Sequence, residues 1–389
     1  MNVEVPDGPG KLDKLRSSLP WLVRYPFWRA GQFIRHINST DTRAHLIILV
    51  ANHFEPAWNP AGLPMDWDTQ LARVDRWASL ARRIGETVRD HDGTPFRHTY
   101  FYPAEQYNRL LLERIAAMQA ENLGEVEIHL HHGVKQPDTA ENTRRALEDF
   151  RDALAQEHKC LSRFSKGAAP MYAFVHGNWA LANSANGRNC GVDSEIQILA
   201  ETGCYADFTL PSAPDVSQVP RLNAVYQCGR PLSERTPHKT GPTLKVGERT
   251  TLPVIFTGPL VLDWGRRSNG MPGPRIDNGA LTANYPLDSA RLARWRGAGI
   301  AVLGRPEWIF IKLYCHGFFE HDQSAMIGQD MQRFLEGALE EAERTNRFSM
   351  HFATAREAFN IAMAAVDGQS GEPGHYRDYR LQTIMSTNP

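Results

Sequence analysis

The sequence predicts an α/β protein in which buried parallel strands alternate with helices and close into a distorted barrel of seven or eight strands. Short apolar runs recur along the chain, and segments with apolar residues at helical spacing separate them. Such alternation predicts parallel strands joined by right-handed crossovers. Histidines and other polar residues concentrate where the runs end. This favours a closed barrel over an open doubly wound sheet, because barrels carry their chemistry at the C-terminal ends of strands.

The first half of the chain is the more regular. The run 45–51 (HLIILVA) is typical of a buried parallel strand, and 67–84 has apolar residues at helical spacing. The pattern repeats in three further strand–helix pairs, at 97–102 with 105–121, 125–131 with 139–157, and 171–176 with 193–202.

The second half combines short strands with long loops. Strands are predicted at 206–210, 252–256, 308–314 and 348–352. Segments 229–247 and 266–284 are rich in turn residues and predict surface loops, and helices are expected at 322–345 and 355–366. We therefore predict one large domain at 44–366, preceded by an arm at 1–43 and followed by a loose polar tail at 367–389.

Composition excludes several classes of protein. A net charge of -1 over 389 residues provides no general field for nucleic acid. The five cysteines show no CxxC spacing, which favours a reducing compartment over a disulfide framework. No signal-peptide h-region and no membrane-spanning run is evident, so we expect a cytoplasmic protein. The segment 19–37 mixes aromatic and arginine residues, and the alternatives are a packing arm or contact with a membrane surface.

Polar residues follow four of the predicted strands. The strands end in NHFE at 52–55, HLHH at 129–132, HGNW at 176–179 and CH at 315–316. Side chains at i and i+2 share a face of a strand, so His129 and His131 are expected to point together into the barrel mouth while His132 points away. Asn52 and His53 point in opposite directions by the same rule.

These residue types predict a divalent transition metal, zinc first, with nickel, cobalt or iron as alternatives. We expect His129 and His131 to be ligands, because two histidines on one buried strand end are costly without a metal or a charged partner. The spacing leaves open whether His53 or Glu55 reaches the metal. His316 is a further ligand or catalytic group, and Asp207 could orient a histidine or cap a turn.

The order of these motifs resembles the polysaccharide deacetylases with NodB homology, carbohydrate esterases of the glycoside hydrolase/deacetylase barrel superfamily, over roughly residues 44–322. In that family the first strand ends in an Asp pair, one a base and one a metal ligand, where this chain has Asn52, His53 and Glu55. The family's second motif has two metal histidines four apart. Here His129 and His131 are two apart, and Gly133 stands at the family spacing.

The resemblance implies a metal-dependent deacetylase of an N-acyl or O-acyl carbohydrate, or of another small acylated substrate. His53, His129 and His131 would hold the metal. Glu55, in place of the base lost at Asn52, would take a proton from water, and His316 would protonate the leaving amine. The substrate groove would be lined by His176, Asn178, Trp179 and Asp207.

Two other readings remain. One is a different amide or glycoside hydrolase on the same barrel, and glycoside cleavage would need a close carboxylate pair among Glu55, Glu105 and Asp207. The other is a catalytically silent binding protein, suggested by Asn52 in place of a carboxylate.

Overall fold

A computed structural model describes residues 18–37, 43–59, 62–267 and 274–385. It confirms the predicted α/β class, with a large central sheet of nine strands. The strands in chain order are β1 (Ala44–His53), β2 (His98–Pro103), β3 (Gly124–Leu130), β4 (Ser162–Arg163), β5 (Tyr172–His176), β6 (Cys204–Asp207), β7 (Val225–Tyr226), β8 (Val254–Phe256), β9 (Val261–Arg267), β10 (Pro274–Asp277), β11 (Trp308–His316), β12 (Phe348–Phe352) and β13 (Gln382–Thr383).

The helices lie before β1 or between strands. They are α1 (Tyr25–Ile37), α2 (Trp67–Thr87), α3 (Arg109–Ala120), α4 (Ala140–Gln156), α5 (Glu195–Thr202), α6 (Ser289–Gly297), α7 (Gln323–Met326), α8 (Gln329–Thr345) and α9 (Ala355–Val366). Side-chain caps define several N-termini. Asp66 accepts from the Thr69 amide before α2, and Thr354 and Glu357 form a capping box at α9.

The central sheet runs in the order β11-β1-β2-β3-β5-β6-β8-β7, and β12 also pairs with β1. Its paired strands are parallel except β7 and β8. Strand β1 has three partners because β12 pairs with its beginning and β2 with its end, while β11 runs along the other side. Because these strands are parallel neighbours, their C-terminal ends, which carry the candidate residues, lie side by side.

Loop segments connect the two outermost strands of this order, β7 and β11. The Leu244 amide donates to Val225 of β7, and the Leu303 amide donates to the carbonyl of Leu244. Phe310 of β11 in turn donates to the carbonyl of Ile300. A path of backbone hydrogen bonds thus links β7 to β11 through residues 244 and 300–303.

The two faces of the sheet pack against different partners. Ile47 and Leu49 of β1 belong to the apolar cluster around α9, whereas Leu46 and Ile48 belong to the cluster with the outer helices. Helix α9 is buried along all 12 of its residues. We call the face towards α9 the inner face. Strand parity continues this alternation to the strand ends, so it decides which site residues can meet.

Several segments differ from the sequence prediction. The helix predicted at 322–345 is interrupted at Ile327 and Gly328, between α7 and α8. The predicted loop 266–284 contains β10, which pairs with β9. Helix α6 was not predicted, because its buried face includes the charged residue Arg291, which interrupts the apolar periodicity. In the structure Arg291 forms a buried ion pair with Asp277, at 3.0 Å.

The described parts of the arm and the tail are packed against the domain. Trp21 is fully buried against Ala213, Leu222 and Leu260, while Phe27 is exposed. The tail is not loose as expected, since Leu381 is buried and β13 pairs with β4. All five cysteines are free. None of the described helices combines the length and the apolar character that crossing a bilayer requires.

Candidate metal centre

The inner face ends in a cluster of imidazoles around one carboxylate. Its members come from the ends of β1, β3 and β11 and from the turn after β1: His53, Glu55, His129, His131 and His316. Residues 53, 129 and 316 have the strand parity of the residues that face α9. The cluster therefore follows from the alternation along the strands together with the order β11-β1-β2-β3.

Two histidines at the end of β3 present their Nε2 atoms to this cluster. The Nδ1 of His129 lies 2.8 Å from the Val175 carbonyl and must donate to it, which leaves Nε2 as the lone-pair atom. The Nδ1 of His131 donates to Glu105 Oε1 at 2.6 Å in the same way. A backbone carbonyl or carboxylate on the far nitrogen is the usual support of a metal-bound histidine.

Glu55 lies between the two histidines and His316. Its Oε1 is 3.5 Å from His129 Nε2 and 3.1 Å from His131 Nε2, and its Oε2 is 3.4 Å from His316 Nδ1. Burial by itself raises the pKa of Glu55, but the three imidazoles outweigh it and hold the pKa well below its usual range. Glu55 is therefore a carboxylate at neutral pH.

The imidazoles differ in protonation. Burial lowers the pKa of His129, and it lowers that of His53 further with help from His316. Burial also opposes a proton on His131, but hydrogen bonds to Glu105 and Glu55 prevail and raise its pKa to about 10. A metal ion bound at His131 Nε2 would take the place of that proton.

His316 is held by aromatic contacts at the open side of the cluster. Its ring stacks on Phe319 with a centroid distance of 5.0 Å, and it packs against His53 at 4.6 Å. The edge of Trp179 approaches at 6.3 Å. The side chains of His131 and His316 are 21% and 26% exposed, so a solute can reach the cluster from this side.

The donors fit a divalent transition metal. Glu55, His129 and His131 each offer a ligand atom within 4.8 Å of the others, and His53, Glu55 and His316 form a second such group. His129 Nε2 is buried and has no hydrogen-bond partner among the described residues. Two imidazoles and one carboxylate form one of the common catalytic zinc sets, with a position left for water.

The grouping differs in one respect from the sequence prediction. His53, His129 and His131 do not form one compact group among the described residues, whereas Glu55 belongs to both groups. The reason is that Glu55 lies beyond the end of β1, where the chain has left the strand and places the carboxylate against β3.

Some predicted site residues lie elsewhere. Asn52 points to the outer face, where its Nδ2 is 3.3 Å from His98 Nδ1. His176 also faces outward, where its Nε2 lies 3.7 Å from Glu195 Oε1. Asp207 is buried and bonded to Thr209 at 2.7 Å, and burial raises its pKa to about 7. Asn52, His176 and Asp207 are thus outside the group formed by Glu55, His129 and His131.

Residues of the loop after β5 lie on both faces of the sheet. The Asn178 amide donates to His176 Nδ1, whereas the Trp179 ring lies 6.5 Å from His53 and so borders the cluster. Trp179 adopts a positive φ of 56°. This backbone conformation is uncommon for a bulky residue and turns the indole towards the histidines.

Glu105 is a site residue that the sequence did not assign to the metal. It follows β2 in a short 3₁₀ turn, at Ala104–Gln106, and binds both the backbone amide and Nδ1 of His131. The sequence did contain one signal for this role, a carboxylate directly after a predicted strand. Its partner, His131, follows the neighbouring strand β3, so the contact depends on the pairing of β2 with β3.

No protein-family model matches the chain, and comparisons with curated proteins and with solved structures found no match either. The likeness to polysaccharide deacetylases accordingly rests on the residues and their order alone.

Replacing Glu105 by glutamine is expected to weaken metal binding about 10- to 100-fold, the usual effect of removing a carboxylate behind a ligand histidine. The amide is a weaker acceptor than the carboxylate and holds the His131 ring less firmly. Competition with a chromogenic chelator measures the affinity. Glu113→Gln is the matched control, because Glu113 forms an exposed surface pair with Arg109. Equal affinities in both variants would show that Glu105 does not support a ligand.

Proposed function

We propose that this chain is a metal-dependent hydrolase that removes an acyl group from an N-acylated or O-acylated carbohydrate. The observation that carries the proposal is the pair of Nε2 atoms on His129 and His131, both facing the Glu55 carboxylate, with each Nδ1 already engaged by an acceptor. The order of motifs along the chain supports the deacetylase class.

Glu55, His129 and His131 would hold the ion. When bound, a zinc-class ion polarises the acyl carbonyl and lowers the pKa of a coordinated water to ~7. Glu55 would hold the ion with Oε1, the oxygen that faces the two histidines, because Oε2 lies towards His316 Nδ1, at 3.4 Å. This arrangement would allow one carboxylate both to bind the metal ion and to pass on a proton.

The remaining residues manage protons and position the substrate. Water adds to the acyl carbon, and its proton passes through Glu55 Oε2 to His316 Nδ1. His316 then donates its Nε2 proton to the leaving nitrogen or oxygen as the acyl bond breaks. Neutral His53 fills the space between His129 and His316 and excludes water from the buried side. Trp179 offers an aromatic surface suited to a sugar ring.

The proposal includes closure of the central sheet into a distorted barrel. The hydrogen bonds that link β7 to β11 through residues 244 and 300–303 support closure, as does the fully buried α9 against the inner face. Strand ends around such a mouth point towards a common centre.

Glycoside cleavage is less well supported. It would need two carboxylates facing each other across a glycosidic bond. Glu55 and Glu105 instead lie on opposite nitrogens of the single His131 ring, and Asp207 is buried and bonded to Thr209. The imidazole occupies the space that a scissile sugar linkage would need.

The test is release of acetate from a panel of N-acetylated and O-acetylated amino sugars and their oligomers. The zinc-loaded protein is expected to release acid, the chelator-treated protein to lose this activity, and added zinc to restore it. His375→Gln should behave like the unaltered protein, because His375 is an exposed residue of the C-terminal segment. Zinc-loaded protein that hydrolysed no member of the panel would refute the proposal.

A further inference from the structure

A second cluster of ligand-type side chains lies on the outer face of the sheet. It consists of His132, His176, Cys190 and Glu195, which offer ligand atoms within 4.8 Å of one another. The exposed fraction is 7% for His132 and 0% for the other three. The cluster connects the ends of β3 and β5 with the loop before α5 and the first residue of that helix.

His132 is oriented by a carboxylate on its far nitrogen. Its Nδ1 lies 3.0 Å from Asp138 Oδ2, and Asp138 is itself held by Asn142 and Thr143. The Nε2 atom therefore faces Glu195 Oε1, at 2.9 Å. This is the same support that metal-bound histidines receive elsewhere in proteins.

Glu195 is a fully buried carboxylate without a basic amino or guanidinium partner among the described residues. It accepts from the Ala182 amide at 2.6 Å and lies 3.5 Å from the sulfur of Cys190. The Val192 amide points at the same sulfur, at 3.4 Å. A buried carboxylate of this kind needs a compensating cation, and that cation is either a protonated His132, with Nε2 at 2.9 Å, or a metal ion that takes the place of the His132 proton.

His176 presents an unused nitrogen to the cluster. Its Nε2 is buried and has no hydrogen-bond partner in the described part of the chain. Its Nδ1 accepts from the Asn178 amide at 3.2 Å, so ligation through Nε2 requires the proton to move to Nδ1 and this contact to open. The side-chain oxygen of Asn178, two residues along the chain, is also buried and without a hydrogen-bond partner among these residues.

The donor set balances a dication. One thiolate and one carboxylate neutralise two positive charges, and two neutral imidazoles complete four ligands. A cysteine nucleophile is the competing interpretation of Cys190 beside His132. A nucleophile needs access to its substrate, and the Cys190 side chain is buried from solvent.

We infer that His132, His176, Cys190 and Glu195 form a second, closed site for a zinc ion with a structural role. Four protein ligands with no open position are typical of structural zinc. The site borders the first cluster, because His132 follows His131 and Gly177 follows His176. A Cβ at Gly177 would lie 2.3 Å from Cδ2 of His131, so the backbone held by the second ion packs directly on a ligand of the first.

The experiment measures metal content and cobalt absorption of the full chain. The unaltered protein is expected to bind two equivalents of zinc, and after cobalt loading to show a thiolate-to-cobalt charge-transfer band in the near ultraviolet. Cys190→Ser should lose one equivalent and the band. His129→Ala should lose one equivalent and keep the band. Cys160→Ser, which alters a buried cysteine outside the cluster, should keep both.

A measurement on the unaltered protein protects the test against misfolded variants. Zinc X-ray absorption should detect sulfur at ~2.3 Å. No cobalt–thiolate band, a band that survives in Cys190→Ser, or zinc without sulfur would each overturn the inference. The inference does not depend on the proposed hydrolase. A sulfur-ligated ion without acid release would refute only the hydrolase, and acid release with a single sulfur-free ion would refute only the second site.

Discussion

Replacing Glu55 by glutamine is expected to remove one equivalent of bound metal and to lower acid release by about 10²- to 10⁴-fold, the range for losing a positioned acid or base. The change keeps the size of the side chain but removes its charge. Glu55 is the group that contacts His129, His131 and His316 together, so its neutralisation affects both metal binding and proton transfer.

Initial rates of acetate release and metal content of the same preparations provide the measurement. Glu86→Gln is the matched control, since Glu86 is an exposed residue of α2. A Glu55→Gln protein that kept both its metal and its rate would exclude Glu55 from the site. Loss of rate with full metal content would keep Glu55 as a proton carrier and assign ligation to the histidines.

Replacing Arg356 by methionine is expected to lower the free energy of unfolding by about 3–5 kcal/mol, the range for removing one partner of a buried ion pair. Arg356 is 3% exposed and lies in α9, on the inner face of the sheet. Its guanidinium holds Glu125 of β3 through Nε and Nη2, at 3.0 Å and 2.7 Å, and donates to Asp378 at 2.6 Å. Without Arg356, the Glu125 carboxylate keeps the hydrogen bond from the Thr354 hydroxyl but loses its cation.

Urea unfolding followed by circular dichroism measures this difference. Arg82→Met is the control, because Arg82 and Glu121 are a surface pair with side chains 45% and 43% exposed, and such pairs contribute about 1 kcal/mol or less. If the two variants lost equal stability, the pairing of α9 with β3 would not contribute to the fold as proposed.

Much of the fold could be predicted because its patterns are local. The run 45–51 is apolar on both faces, and it forms most of β1, which is paired on both sides. Strand parity placed His53 and Asn52 on opposite faces, as the structure has them. Helix α6 escaped prediction because Arg291 stands on its buried face, and the packing of the tail escaped it because apolar anchors such as Leu381 are scattered among polar residues.

The partners of the site residues were harder to predict. His176 was expected in the groove, but parity and the neighbouring α5 direct it to Glu195 on the outer face. Glu195 and Cys190 had no motif to mark them. Glu105 contacts His131 only because β2 and β3 are adjacent strands.

The amino-acid order alone determined which residues stand at strand ends and which face each one takes, since alternation along a strand is a property of the chain itself. The folded chain settled which carboxylate meets which imidazole, and divided the histidines into one cluster on the inner face of the sheet and one on the outer face. That choice depends on strand order and on the paths of loops, which bring together residues far apart in sequence and so leave no local pattern to read.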